Sequence, residues 1–232
     1  MEINGGKVSF STIHDQKLYA FLSNGDAVIS KVDIKGWTPM LKAIKIDNVE
    51  IVRILLLKCK GADLNFINHS ENTPLTYAIG KGNLDIIELL LSNGADPNFE
   101  DKMGWTPLTY ATYYNRIEAV KILIANNANL DLKDGVGITP LSTAIIQNNL
   151  DMVKLLVENG ASTNIHNNGV TPFQKAINKK HIDIINFFME NGAKLSSRTK
   201  NHRYSAIELA LKNGKQIAIM KNLIFSKTCN KT

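Results

Sequence analysis

The sequence repeats itself, and that period constrains the fold more than any composition figure does. Thr-Pro occurs at Thr38-Pro39, Thr73-Pro74, Thr106-Pro107, Thr139-Pro140 and Thr171-Pro172, in steps of 35, 33, 33 and 32 residues. A second marker keeps the same step: Gly61-Ala62-Asp63, Gly94-Ala95-Asp96, Asn127-Ala128-Asn129, Gly160-Ala161-Ser162 and Gly192-Ala193-Lys194. Between the markers lie the apolar runs "VEIVRILLL", "LDIIELLL", "IEAVKILI", "LDMVKLLV" and "IDIINFFM". A period of this length implies one supersecondary unit per repeat. Such a unit cannot bury its apolar face alone and must stack on its neighbours.

Each period reads as two helices and a turn. In "TPLTYA", Pro74 falls at a first helical position, where its missing N–H costs nothing, and Thr73 is placed to cap the free N–H groups. Leu75, Ala78 and Ile79 continue as a stripe of helical period. The recurring Ala43, Ala78, Ala111, Ala144 and Ala176 let adjacent helices approach closely. "NLDIIELLLSNG" reads as the second helix, with Asp85 in its first turn, favourable to the helix dipole. Its expected buried face is Ile86, Leu89 and Leu90, and Asn93-Gly94 ends it with a left-handed residue. The residues before the next Thr-Pro carry turn chemistry suited to a hairpin.

These units resemble the ankyrin-repeat family, whose pattern is Gly-x-Thr-Pro-Leu-x-x-Ala, a second helix, then Gly-Ala-Asp-x-Asn. The resemblance covers about Asp33 to Leu195. It implies an all-α fold: an ankyrin-repeat solenoid of stacked helix-turn-helix units with projecting β-turn hairpins. The expected organisation is an N-terminal segment with a degenerate capping repeat (1–32), five repeats (33–195), a C-terminal capping repeat (196–225) and a polar tail (226–232). Three departures stand out. The family's His after Thr-Pro-Leu is replaced by Leu41, Thr76, Thr109, Ser142 and Gln174. A hydroxyl could supply a smaller bond at this position, and Leu41 cannot. The first repeat also has two extra residues in "LLLKCKGAD", and the last hairpin is one residue short.

The resemblance places partner contacts at the hairpin tips and on the exposed face of the first helix. Both tryptophans, Trp37 and Trp105, occupy the same tip position, and Met103, Tyr113 and Tyr114 join Trp105 at contact positions. Ile46 and Gln147 hold equivalent helix positions, while Lys35, Lys45, Lys81 and Lys102 lie near the same face. Tyr110 repeats Tyr77 one unit on and reads as structural. Aromatic residues dominate binding hot spots, so one reading is a concave aromatic patch over the first and third repeats. The other is that each Trp packs, half buried, on the neighbouring hairpin. The lysines either suit an acidic protein partner or serve solubility.

No catalytic or metal-ligating set emerges. His14, His69, His166, His181 and His202 show no metal spacing, and His181 falls at a family turn position. "NGGK" at residues 4–7 lacks the spacing of a phosphate loop. The carboxylates Glu50, Asp85, Glu118, Asp151 and Asp183 recur once per unit and so read as helix-start devices. No cofactor or small-molecule substrate is expected. Only Cys59 and Cys229 occur, far apart, and neither a membrane span nor a secretion signal is visible. A cytoplasmic monomer is therefore expected, acting as a stand-alone inhibitor or blocker of a protein partner. The net charge of +6 keeps one alternative open, a basic surface for nucleic acid or acidic membrane, though no nucleic-acid motif accompanies it.

Overall fold

A computed structural model describes residues 2–4, 7–9, 36–58, 63–70, 72–167 and 169–193. Lys35, Cys59 and the expected capping repeats, which begin near His14 and Ser205, lie outside the described residues. The described residues hold ten helices and two three-residue strands, the all-α class expected. They fall into two compact units, Met1–Ala95 and Asp96–Thr232.

The first unit holds repeats one and two: α1 (Pro39–Lys45) and α2 (Val49–Lys58), then α3 (Pro74–Lys81) and α4 (Leu84–Ser92). Within it α1 packs on α2 and α3, and α4 packs on α3 and α2. The second unit holds repeats three to five: α5 (Pro107–Tyr113) and α6 (Ile117–Ala125), α7 (Pro140–Ile146) and α8 (Leu150–Glu158), α9 (Pro172–Lys179) and α10 (Ile182–Glu190). Here α7 lies between α5 and α9, and each first helix packs on its own second helix. An antiparallel hairpin, β1 (Glu2–Asn4) and β2 (Lys7–Ser9), was not expected. In its register Asn4 pairs with Lys7.

The start of every first helix follows from Thr-Pro. The hydroxyls of Thr38, Thr73, Thr106, Thr139 and Thr171 each accept the backbone N–H three residues on, at 3.1–3.2 Å. The side chain that replaces the family His adds to this cap unequally from repeat to repeat. Thr76 and Gln174 reach back to the Thr backbone N–H and complete capping boxes. Thr109 and Ser142 bond only the Thr hydroxyl, and Leu41 contributes nothing polar. All five recurring alanines are fully buried, as close packing of first helices requires.

Second helices are capped less uniformly. Asn48, Asn83 and Asn149 accept N–H bonds at 3.0 Å from Ile51, Ile86 and Met152, while Arg116 and His181 at the same position form no side-chain cap. The α4 face differs from the one expected: Ile86, Ile87 and Leu90 are buried, and Leu89 is only half buried. A helix advances about 100° per residue, which turns Ile87 inward and Leu89 toward the rim. Gly94 then takes φ 97°, as expected for the terminator. In repeat one the helix is longer, α2 having 10 residues against 9 in α4, and the turn after it lies outside the described residues.

The segments between repeats interlock. Asn98 donates through Nδ2 to the Asn127 carbonyl (3.2 Å) and accepts the Asn129 N–H at Oδ1 (2.6 Å). Asp131, one period on, accepts the Ser162 N–H at 2.8 Å. The ion pairs Glu50–Arg53 and Glu118–Lys121 are exposed and add little.

His181 offers a test of the local electrostatics. It precedes α10, its ring is bonded to the Ile146 backbone, and its Nε2 is buried without a partner. Burial first, and Lys179 second, hold its pKa below the ordinary value, with the Ile146 bond opposing. The neutral form is favoured on folding. Stability from this site is therefore complete above about pH 6.5 and is lost as pH falls below that value toward the folded-state pKa. His181→Asn should flatten this acid-side loss and supply the missing cap, adding up to about 1 kcal/mol at pH 8. Urea midpoints of both proteins at pH 8 and pH 5.5 check it. Parallel pH dependence in both would exclude the role.

Candidate protein-binding site at the hairpin tips

The tips are built on a device that the sequence reading missed. Asn68, Asp101, Asp134 and Asn167 open the hairpins at a 33-residue step, and all four are buried. In the first three, Oδ1 accepts the N–H groups two and four residues on. Asp101 takes Met103 and Trp105, both at 2.8 Å. Asp134 takes Val136 (3.1 Å) and Ile138 (2.7 Å), and Asn68 takes Ser70 and Asn72 (2.9 Å). The Asp or Asn five residues before Thr-Pro (four in the shortened last hairpin) was the available signal. The shortened last hairpin closes one residue sooner, with Asn167 and Val170 exchanging backbone bonds in place of an Asn68–Asn72 or Asp101–Trp105 pairing.

Adjacent tips also touch. The Gly135 N–H donates to the Met103 carbonyl at 2.7 Å. A Cβ on Gly104, which has φ 73°, would come within 2.7 Å of the Gly135 nitrogen, so only glycine fits there. In the first unit the His69 ring fills this role, lying against Gly36. The tips of repeats three and four are thus fixed side by side before any partner arrives.

The two tryptophans have different surroundings. Trp37 is half buried, meets Tyr77 edge-on at 5.3 Å, and carries the Lys45 ammonium 4.8 Å from its ring centroid. Trp105 is also half buried, with Tyr110 at 5.0 Å and Tyr113 at 5.1 Å. Tyr114 packs on Tyr113 (5.3 Å) and lies nearly parallel to Tyr110 (6.3 Å). The Tyr110 hydroxyl donates to Asp101 Oδ2 at 2.8 Å, which fixes the cluster to the turn and accounts for the structural reading of Tyr110. Both tryptophans pack on first-helix tyrosines. What solvent meets is Met103 (62% exposed), Tyr113 (48%) and Tyr114 (49%).

The other expected contact residues are scattered. Ile46, Lys45 and Lys81 are exposed in the first unit, with Lys45 engaged by Trp37. Lys102 and Gln147 are exposed in the second, and Gln147 Nε2 donates to the Tyr113 carbonyl (2.8 Å), tying α7 to α5. Trp37 and Trp105 belong to different units, so the structure presents two aromatic clusters, one in each. Val136 (67% exposed) and Ile146 (39%), at tip and first-helix contact positions of the fourth repeat, are exposed in the second unit.

Among the described residues, no group of three or more His, Cys, Asp or Glu is placed to hold a metal ion, and no helix is long and apolar enough to cross a membrane. Compared with known protein families, the sequence matches the model described as ankyrin repeats (3 copies). The match comes in four overlapping stretches: residues 14–101, 57–134, 85–167 and 129–199.

Proposed function

Because the chain belongs to the ankyrin-repeat family, a family of protein–protein interaction modules, we propose that it is a non-enzymatic binder that takes its partner on the hairpin tips and first helices. We further propose that it acts by occlusion, as an inhibitor or blocker. One observation carries the choice of face: Met103, Tyr113 and Tyr114 stand exposed on a support of Trp105, Tyr110 and Asp101 whose geometry is already fixed. A preorganised aromatic surface loses little conformational freedom on binding, so more of its contact energy appears as affinity.

The supporting tryptophan is a poor first target, because its removal would also disturb the cluster. Tyr113→Ala with Tyr114→Ala removes exposed area instead. Each substitution at a hot spot costs about 2 kcal/mol or more, roughly 30-fold in affinity. Affinity capture from the native cell's lysate, quantified by mass spectrometry, should yield one protein that wild type enriches and the double variant does not, with circular dichroism unchanged. Equal capture by both would remove this face from consideration. If the captured protein's own activity is unchanged by saturating chain, the blocking role is wrong even where binding is right.

A further inference from the structure

The second unit grades from aromatic to cationic across its three first helices. At one position the repeats carry Tyr110, Thr143 and Lys175; at a second, Tyr114, Gln147 and Lys179; at a third, Asn115, Asn148 and Lys180. The helices that carry these rows stack in that order, α5 on α7 on α9. Every exposed charge on these tips and first helices, from 101 to 114, 134 to 148 and 167 to 180, is a lysine. The carboxylates there, Asp101 and Asp134, are buried and already hold the turns. Exposed acids of this unit sit on the second helices, at Glu118, Asp151, Glu158, Asp183 and Glu190, and on the segment before the third tip, at Asp96 and Glu100.

Lys175 and Lys179 are like charges at i and i+4 on α9, an unfavourable pairing. Among the described residues, Lys175, Lys179 and Lys180 form no ion pair. Burial, and then Lys179, hold the Lys175 ammonium below its ordinary pKa, against the pull of Asp134. An anion placed across this end would relieve both the repulsion and the cost of keeping Lys175 charged.

Resting on the protein-binding reading above, we infer that this face is a two-part docking surface for an extended acidic segment of a partner protein, its apolar or aromatic anchor on repeats three and four and its carboxylates on repeat five. Two helix-to-helix steps of about 8–10 Å each, at about 3.3 Å per extended residue, separate anchor from carboxylates by roughly five to six residues. The apolar half explains the exposure of Met103, Tyr113, Tyr114 and Val136, and the lysine half sets the direction of the segment along the stack.

The test pans the immobilised full chain against a random-peptide library displayed on phage, then titrates a fluorescent copy of each enriched peptide. Enriched sequences should carry an apolar anchor about five residues from an acidic run. Lys179→Glu with Lys180→Glu should weaken them about tenfold or more, and Lys179→Arg with Lys180→Arg should not. Lys179 and Lys180 are exposed, and circular dichroism of both variants should match wild type. Peptides lost with Tyr113→Ala/Tyr114→Ala but indifferent to the lysine pair, or lacking acidic residues, overturn the two-part surface while leaving the protein-binding reading intact. So does an empty selection. Peptides indifferent to the tyrosines, or displaced by a short duplex DNA that binds the lysines more tightly, overturn both.

Discussion

Leu90→Ala should lower the unfolding free energy by about 2–5 kcal/mol, and Leu89→Ala by less than half of that. The two leucines are neighbours on α4. Leu90 has no exposed surface and lies with Ile86 and Ile87 on the side facing the unit's interior. Truncating it removes buried methyl groups and leaves a cavity that tight packing cannot close. Leu89 is half buried, so its truncation is partly filled by solvent. Its carbonyl accepts bonds from Ser92 and Asn93, and the substitution leaves those in place. Urea denaturation of the full chain, followed by far-UV circular dichroism, measures both. Equal losses, or a larger one at Leu89, would mean that α4 is rotated from the orientation described.

The second large effect is expected at Asp101, where one buried carboxylate holds the whole third tip. Asp101→Ala leaves the Met103 and Trp105 N–H groups and the Tyr110 hydroxyl without their acceptor. Stranding buried donors costs about 1–3 kcal/mol each and the losses overlap, so a total of roughly 2–4 kcal/mol is expected. Asp101→Asn should cost only about 1 kcal/mol. Asn68 holds the second hairpin through the same pair of backbone bonds, which shows that an amide oxygen suffices for that part. Trp105 emission in a Trp37→Phe background reports the local transition. Partner capture by Asp101→Ala should also fall below that of Asp101→Asn at temperatures where both are folded, since Met103 and Trp105 lose their fixed position. If alanine and asparagine behave alike, the carboxylate is not what organises the tip.

Why some features were legible and others were not follows from where their causes lie. Thr-Pro acts within one turn of chain, so all five helix starts, and the lack of a polar group at Leu41, could be read locally; that Thr76 completes a capping box and Thr109 does not could not, because the residue is the same. The one-residue deletion in the last hairpin was likewise local, and it reappears as the Asn167–Val170 closure. Leu89 was misassigned because three apolar residues in a row satisfy a helical stripe in more than one rotation, and only packing chooses. The buried aspartates were overlooked because an Asp before a turn reads as ordinary loop polarity. Their role appears only when the chain folds back and presents the second and fourth N–H groups to one oxygen.

The sequence by itself determined the period, the helix boundaries and the family, because each depends on interactions within a few residues of their cause. It also placed Trp37 and Trp105 at one repeat position. Tertiary structure decided what that position does in each case. A first-helix residue seven after Thr-Pro is Lys45 in repeat one and Tyr113 in repeat three. The first sets an ammonium over its tryptophan, and the second extends an aromatic surface to solvent. The charge gradient from α5 to α9 has the same origin. Residues about 33 apart in sequence become neighbours only because stacked helices bring them within side-chain reach.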